Sequence, residues 1–110
     1  MSRNNILHIF KTWWSSIGAP GSGDDLDYDL YNGNVTIPGN ETHGIVGTPI
    51  YASGNGWQVG SGGMYQLDPS SPGYGTALPL PNFNDQFASP DIGAHQSGTS
   101  AMKFGITGGQ

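Results

Sequence analysis

The sequence predicts an all-β fold with long loops and no substantial helix, formed by a single domain of 110 residues. No window carries the i, i+3, i+4, i+7 apolar stripe of a capped helix. Short apolar runs alternate instead with turn residues, and the 19 Gly and 8 Pro residues lie beside Asn and Ser. The aromatic content of 11% argues against a disordered chain.

Six short segments are predicted strands, and residues 26–31 are the clearest. Their sequence, LDYDLY, alternates apolar and acidic residues up to the Asn32-Gly33 turn, which is the period of a half-buried strand. The other candidates are 4–10, 34–37, 43–51, 64–67 and 101–106. Residues 68–91 are rich in Pro, Ser, Asn and Asp and are predicted to form an extended loop.

The charge of the chain excludes several classes of partner. Its net charge is −5, with three permanent cations, so it lacks the basic surface that nucleic acid or an anionic membrane requires. No apolar run approaches the roughly 20 residues of a membrane span, and residues 1–20 lack the apolar core of a signal peptide. The absence of cysteine excludes disulfides and thiolate metal sites.

Five segments follow one another in an order that is known from a protein family. They are NNIL at 4–7, DYDLYN at 27–32, HGIVGTPIY at 43–51, YQL with the following Ser-Pro at 65–72, and PDIGAHQ at 90–96. In this order they resemble the C-terminal region of right-handed parallel β-helix proteins, of the polysaccharide lyase, glycoside hydrolase and epimerase type. Thr48 and Gln96 depart from the family motifs, which have Asp before Pro and a terminal acid at these places.

The resemblance implies two or three coils of a right-handed parallel β-helix over residues 1–67, followed by a C-terminal cap segment over 68–110. A coil takes roughly 20–30 residues, and its apolar side chains stack inward on those of the next coil. The inward-facing residues are then Ile6, Leu30, Ile45 and Leu67.

The resemblance also implies a function, namely a segment of an extracellular or cell-surface protein that acts on or binds polysaccharide. Its catalytic residues would lie mostly outside this chain, which is not expected to be an enzyme alone. Because nothing near the N-terminus resembles a cap, residues 1–17 are expected to contact upstream coils or another copy of the chain. The alternatives are a non-catalytic β-helix assembly module and a small carbohydrate-binding module.

A group of closely spaced acids is the candidate metal site. Ca²⁺ takes six to eight oxygen ligands, and lyases of the family often use Ca²⁺ to neutralise a uronate carboxylate, so calcium is a possible cofactor. The candidate ligands are Asp24, Asp25, Asp27 and Asp29. The alternative is that these carboxylates are solvated by a loop and by the outer face of a strand. The dispersed His8, His43 and His95 lack zinc-ligand spacing, and His95 is expected to be structural.

The three tryptophans are the candidate carbohydrate-binding residues. Flat aromatic rings suit the faces of pyranose sugars, and ligand sites commonly have aromatic walls. The candidates are Trp13, Trp14 and Trp57. The alternative is that they are buried against a coil.

Overall fold

The computed structural model describes residues 1–10, 16–17, 25–35 and 41–100, and within these ranges it contains short strands and no helix. The strands are β1 (Ser2–Arg3), β2 (Ile6–Leu7), β3 (Ser16–Ile17), β4 (Leu26–Asp27), β5 (Leu30–Tyr31), β6 (Asn34–Val35) and β7 (Ile45–Val46). The predicted all-β class is therefore confirmed for the described part of the chain. No helix there is long and apolar enough to cross a membrane.

All strand pairs of these sheets are parallel, and the pairing repeats along the chain. Each of the first three strands pairs with the strand three places later: β1 with β4, β2 with β5, and β3 with β6. Strand β7 pairs with the other edge of β5. In the first two sheets, Ser2 lies beside Leu26 and Ile6 beside Leu30, so the partners are 24 positions apart in both.

Two residues in left-handed backbone conformation form equivalent corners. Asn4, between β1 and β2, has φ 60°, and Tyr28, between β4 and β5, has φ 61°. The prediction of one continuous strand over 26–31 is therefore wrong, because a positive φ turns the chain out of the extended conformation. Asn adopts this conformation readily, whereas Tyr does so rarely.

One hydrophobic core joins the sheets to the C-terminal segment. Leu30, Leu67, Ala77 and Ile92 are its buried members, and partly buried apolar residues pack around them. The latter are Ile6, Ile45, Tyr51 and Tyr74. All four residues that were predicted to face inward belong to this cluster. Full burial of a side chain such as Leu30 contributes about 1.5–3 kcal/mol to folding.

Residues 68–100 of the C-terminal segment form turns and bends and contain no strand. The prediction of a strand at 64–67 is wrong: only Leu67 is bridged, to Tyr51 in antiparallel orientation, and Tyr65 has φ 59°, which interrupts an extended chain. The loop predicted for 68–91 is confirmed. The strand predicted at 101–106 lies outside the described residues.

The same segment also binds the first corner of the chain. Gly93 N donates to Asn4 O at 2.8 Å, while the Asn4 side chain donates to Leu78 O and accepts from Leu78 N. Gly93 has φ 106°, and a Cβ there would lie 2.8 Å from Ile6 Cδ1. Glycine therefore allows the segment to approach β2 closely. Contacts of residues 1–17 with other chains stay a prediction.

Candidate functional site

The described acids of the candidate metal site are each bound by neighbouring residues. Asp25 accepts from Arg3 at 2.7 Å, and buried Asp29 accepts from Ser2 Oγ at 2.6 Å and Asn5 N at 2.8 Å. Asp27 accepts from the backbone and ring nitrogens of His43. These bonds link the residues around β4 to β1, to Asn5 and to His43, so each carboxylate has a structural role.

Hydrogen bonding also sets the charge state of Asp27. Partial burial raises the pKa of its carboxyl, but the bonds from His43 and Tyr28 outweigh this effect and hold the pKa below its usual value. The His43 ring stacks on Tyr28 with 4.6 Å between ring centroids. The Asp27–His43 pair therefore fastens the turn before β7 onto β4.

An acid that the sequence analysis did not select, Glu41, lies next to Asp29. Asp29 N donates to Glu41 Oε2 at 3.3 Å, and Glu41 Oε1 is buried without a hydrogen-bond partner among the described residues. Burial, followed by the side-chain hydrogen bond with Asp29 and the Asp29 charge, raises the pKa of Glu41 to about 7, and this outweighs the bond from Asp29 N, which acts in the opposite direction. No sequence signal placed Glu41 here, because it is twelve positions from Asp29 and has no motif.

The acids do not converge into a metal centre in the described ranges. No group of three or more His, Cys, Asp or Glu side chains there is arranged to hold a metal ion. Asp24 lies outside those ranges. Calcium binding by the predicted cluster therefore stays a prediction.

A groove lined by aromatic rings lies beside β2, and we call it the aromatic groove. Its volume is about 510 Å³. Its described lining consists of Asn4, Asn5, Ile6, Leu7, Phe10, Tyr51, Gly63, Met64, Tyr65, Gly93, Ala94 and His95. Two of its rings reach solvent, with 68% of Phe10 and 37% of Tyr65 exposed.

Three separate segments bring these rings together. Phe10 follows β2, and its ring stacks on His8 at 4.1 Å. His8 Nδ1 is bonded to Tyr51 Oη at 3.0 Å. Because Tyr51 is bridged to Leu67, Tyr65 lies close to it, with 5.4 Å between ring centroids. The result is a continuous aromatic wall.

Burial disfavours the charged forms of two groups of this wall, His8 and Tyr51. Burial lowers the pKa of His8, and burial with the neighbouring Tyr65 raises the pKa of Tyr51 to about 12. His95, at the edge of the groove, is buried and its Nδ1 is bonded to Met64 O at 3.1 Å. The bond agrees with the structural role expected for His95.

Of the three predicted carbohydrate-binding tryptophans, the structure places Trp57 near this groove. Trp57 is 56% exposed and, with Phe10, lines an adjoining hollow of about 340 Å³. Trp13 and Trp14 lie outside the described residues. Phe10, Tyr51 and Tyr65 were not selected from the sequence, because they share no motif or spacing and meet only through the fold.

Comparisons of the chain with protein-family models, with curated proteins and with solved structures found no significant match.

Proposed function

We propose that this chain is the C-terminal coil-and-cap segment of an extracellular or cell-surface right-handed parallel β-helix protein that acts on or binds polysaccharide. The aromatic groove is the polysaccharide-binding surface of this segment. The catalytic residues lie mostly outside the chain, in a parent protein of the polysaccharide lyase, glycoside hydrolase or epimerase type.

The repeated parallel pairing supports the β-helix part of the proposal. In a β-helix each strand lies beside the strand one coil later, and the 24-residue offset of the β1–β4 and β2–β5 pairs has the length of one coil. The left-handed corners at Asn4 and Tyr28 have the same offset. The β5–β7 pair has a shorter offset of 15, from Leu30 to Ile45. Crossovers between parallel strands are almost always right-handed. An experimental structure with a closed antiparallel sandwich or barrel would contradict this part.

The observation that carries the function is the partly exposed aromatic wall of the groove. Soluble proteins rarely leave large apolar patches open unless a partner covers them. A pyranose ring presents C–H groups on its faces and hydroxyls on its rim, so aromatic rings can cover its faces while water solvates the rim. The described lining contains no Asp or Glu, which supports catalytic residues elsewhere, because glycoside hydrolysis usually needs paired carboxylates.

Titration of the chain with a panel of soluble polysaccharides tests this function. We expect quenching of Trp fluorescence and a heat signal in calorimetry with at least one of them, because Trp57 adjoins the groove. The variant Phe10→Ala should weaken binding by about threefold to tenfold, since an aromatic contact contributes about 0.5–1.5 kcal/mol.

The matched control is Phe83→Ala, because Phe83 is 61% exposed but lines a different hollow. It should leave binding unchanged. Equal losses in both variants, or no binding to any glycan, would contradict the assignment of the groove.

A non-catalytic assembly module is the second candidate, and the sheet edges favour it. In the three-stranded sheet, β2 and β7 are edge strands, and 70% of Val46 in β7 is exposed. Such edges are templates for pairing with upstream coils or another copy of the chain. Light scattering should then reveal an oligomer that Val46→Lys weakens, without sugar binding.

A further inference from the structure

We infer that the aromatic groove selects neutral pyranose polymers and rejects polymers of uronic acids. The inference rests on the proposed function, because it names the substrate class of the same groove. The family resemblance alone does not imply this selectivity, because that family includes enzymes for both neutral and acidic polymers.

The charge of the groove is the first argument. Its described lining contains no Lys, Arg, Asp or Glu. His8, which stacks on Phe10 behind the wall, has its pKa lowered by burial, so burial disfavours its positively charged form. The polar side chains of the lining are already engaged: Asn4 by Leu78, Asn5 by Ser2 and Asp29, and His95 by Met64. A carboxylate that enters the groove therefore loses hydration that these groups do not replace.

The distribution of cations is the second argument. The chain has three permanent cations, of which Arg3 is the one in the described ranges. Arg3 is engaged by Asp25 Oδ1 at 2.7 Å and by Ser2 O at 2.7 Å. With a net charge of −5, the chain as a whole repels a polyanion.

The aromatic wall supplies the attraction for a neutral sugar. Phe10, Tyr65 and Trp57 are partly exposed, and rings cover C–H faces without needing a charge. Pyranoses with equatorial hydroxyls, as in β-linked glucans, keep these faces unobstructed. Binding of such a polymer depends on ring contact and dispersion, and salt should have little influence on it.

Two oligosaccharides that differ only in their carboxylates test the inference. One is cellohexaose, and the other is the same hexasaccharide oxidised at C6 to the uronate. Calorimetry with the full chain should give binding of cellohexaose and at least about tenfold weaker binding of the oxidised form. The cellohexaose affinity should stay constant between about 50 mM and about 500 mM NaCl.

Three variants locate the effect. Tyr65→Ala should weaken binding of cellohexaose by about threefold to tenfold, while Phe83→Ala should not. Lys11 follows Phe10 directly and lies outside the described residues, so Lys11→Ala shows whether it contributes to anion binding. Circular dichroism of each variant checks that the fold is retained.

The outcomes separate this inference from the proposed function. Equal or tighter binding of the oxidised form overturns the selectivity but leaves polysaccharide binding intact, and loss of that binding in Lys11→Ala would identify the cation responsible. If no oligosaccharide or polysaccharide binds, neutral or acidic, both the proposed function and the inference fail.

Discussion

The strand region (residues 1–7, 25–31 and 41–46) and the tail region (residues 68–100) supply partners for their backbone N–H and C=O groups in different ways. Groups that leave water need such partners. In the strand region parallel strands provide them. In the tail region, which has no strands, turns and backbone pairs such as Ala77 N with Pro90 O provide some of them, and buried polar side chains provide others.

The polar residues of the tail form a compact network. Asp91 accepts from Gly75 N at 2.7 Å and Ser97 N at 2.8 Å. Gln96 binds both the N–H and the C=O of Asp91. Asn84 accepts from Leu80 N at 2.6 Å. The strand region therefore depends mainly on backbone register, whereas the tail region depends also on a few individual side chains.

The largest effect is expected in the core where both regions meet. Leu30 is fully buried and belongs to one cluster with Leu67 and Ile92. Leu30→Ala should lower the free energy of unfolding by about 2–5 kcal/mol, because it leaves a cavity. Denaturant unfolding measures the loss. Val46→Ala, at an exposed position of β7, is the control and should change stability by less than about 0.5 kcal/mol.

Removing one carboxylate from the tail network is the next test. Asp91→Ala leaves two backbone N–H groups without acceptors, and hydrogen bonds to charged groups contribute about 1.5–3 kcal/mol each. We expect a loss of about 2–4 kcal/mol by denaturant unfolding, and a smaller loss for Asp91→Asn, which keeps one acceptor. Asp85→Ala, at an exposed position, should have no effect. A loss of stability in Asp85→Ala as large as in Asp91→Ala would show that the loss does not come from the hydrogen bonds of Asp91.

The sequence predicted the inward-facing residues of the strand region but not both of its corners. Ile6, Leu30 and Ile45 were predicted to face inward because the family resemblance implies stacked coils, and Leu30 is buried in the core while Ile6 and Ile45 pack against it. The corner at Tyr28 was not predictable, because Tyr rarely has a positive φ. Asn4 belongs to a residue type that tolerates this conformation.

The candidate site was predicted less completely than the fold. Trp57 was selected because of its residue type, and it adjoins the groove. Phe10, Tyr51 and Tyr65 meet through a stacked ring, a hydroxyl contact and the bridge from Tyr51 to Leu67. The ring stacking of His8 on Phe10 is local, but the other two contacts join segments far apart in the sequence, so no local pattern reveals the site.

The strand region is expected to become less stable as pH rises, because of the titration of Glu41. The folded state raises the pKa of Glu41 from 4.5 to about 7, so folding favours the protonated form. The stabilisation from this group is complete below the unfolded pKa and is lost as pH rises through about 7. The Tm should therefore fall by a few degrees between about pH 5.5 and about pH 8.

The variant Glu41→Gln isolates this titration from the others. It keeps an uncharged side chain of the same length beside Asp29, so its Tm should change less than that of the wild type over the same pH range. A wild-type Tm that rises across the range, or an equal slope in both proteins, would contradict the assignment to Glu41.

The smallest effect on stability is expected at the surface of the strand region, where Arg3 and Asp25 form an ion pair. Their 2.7 Å contact is as short as that of Asp91 with Gly75, but 53% of the Asp25 side chain is exposed. Water solvates the partners when such a pair is broken, so exposed pairs contribute little. Arg3→Gln should leave the unfolding midpoint within experimental error at high salt. If it instead destabilises the protein as much as Asp91→Ala does, distance rather than burial would govern the strength of these contacts, and the contrast between the two regions would disappear.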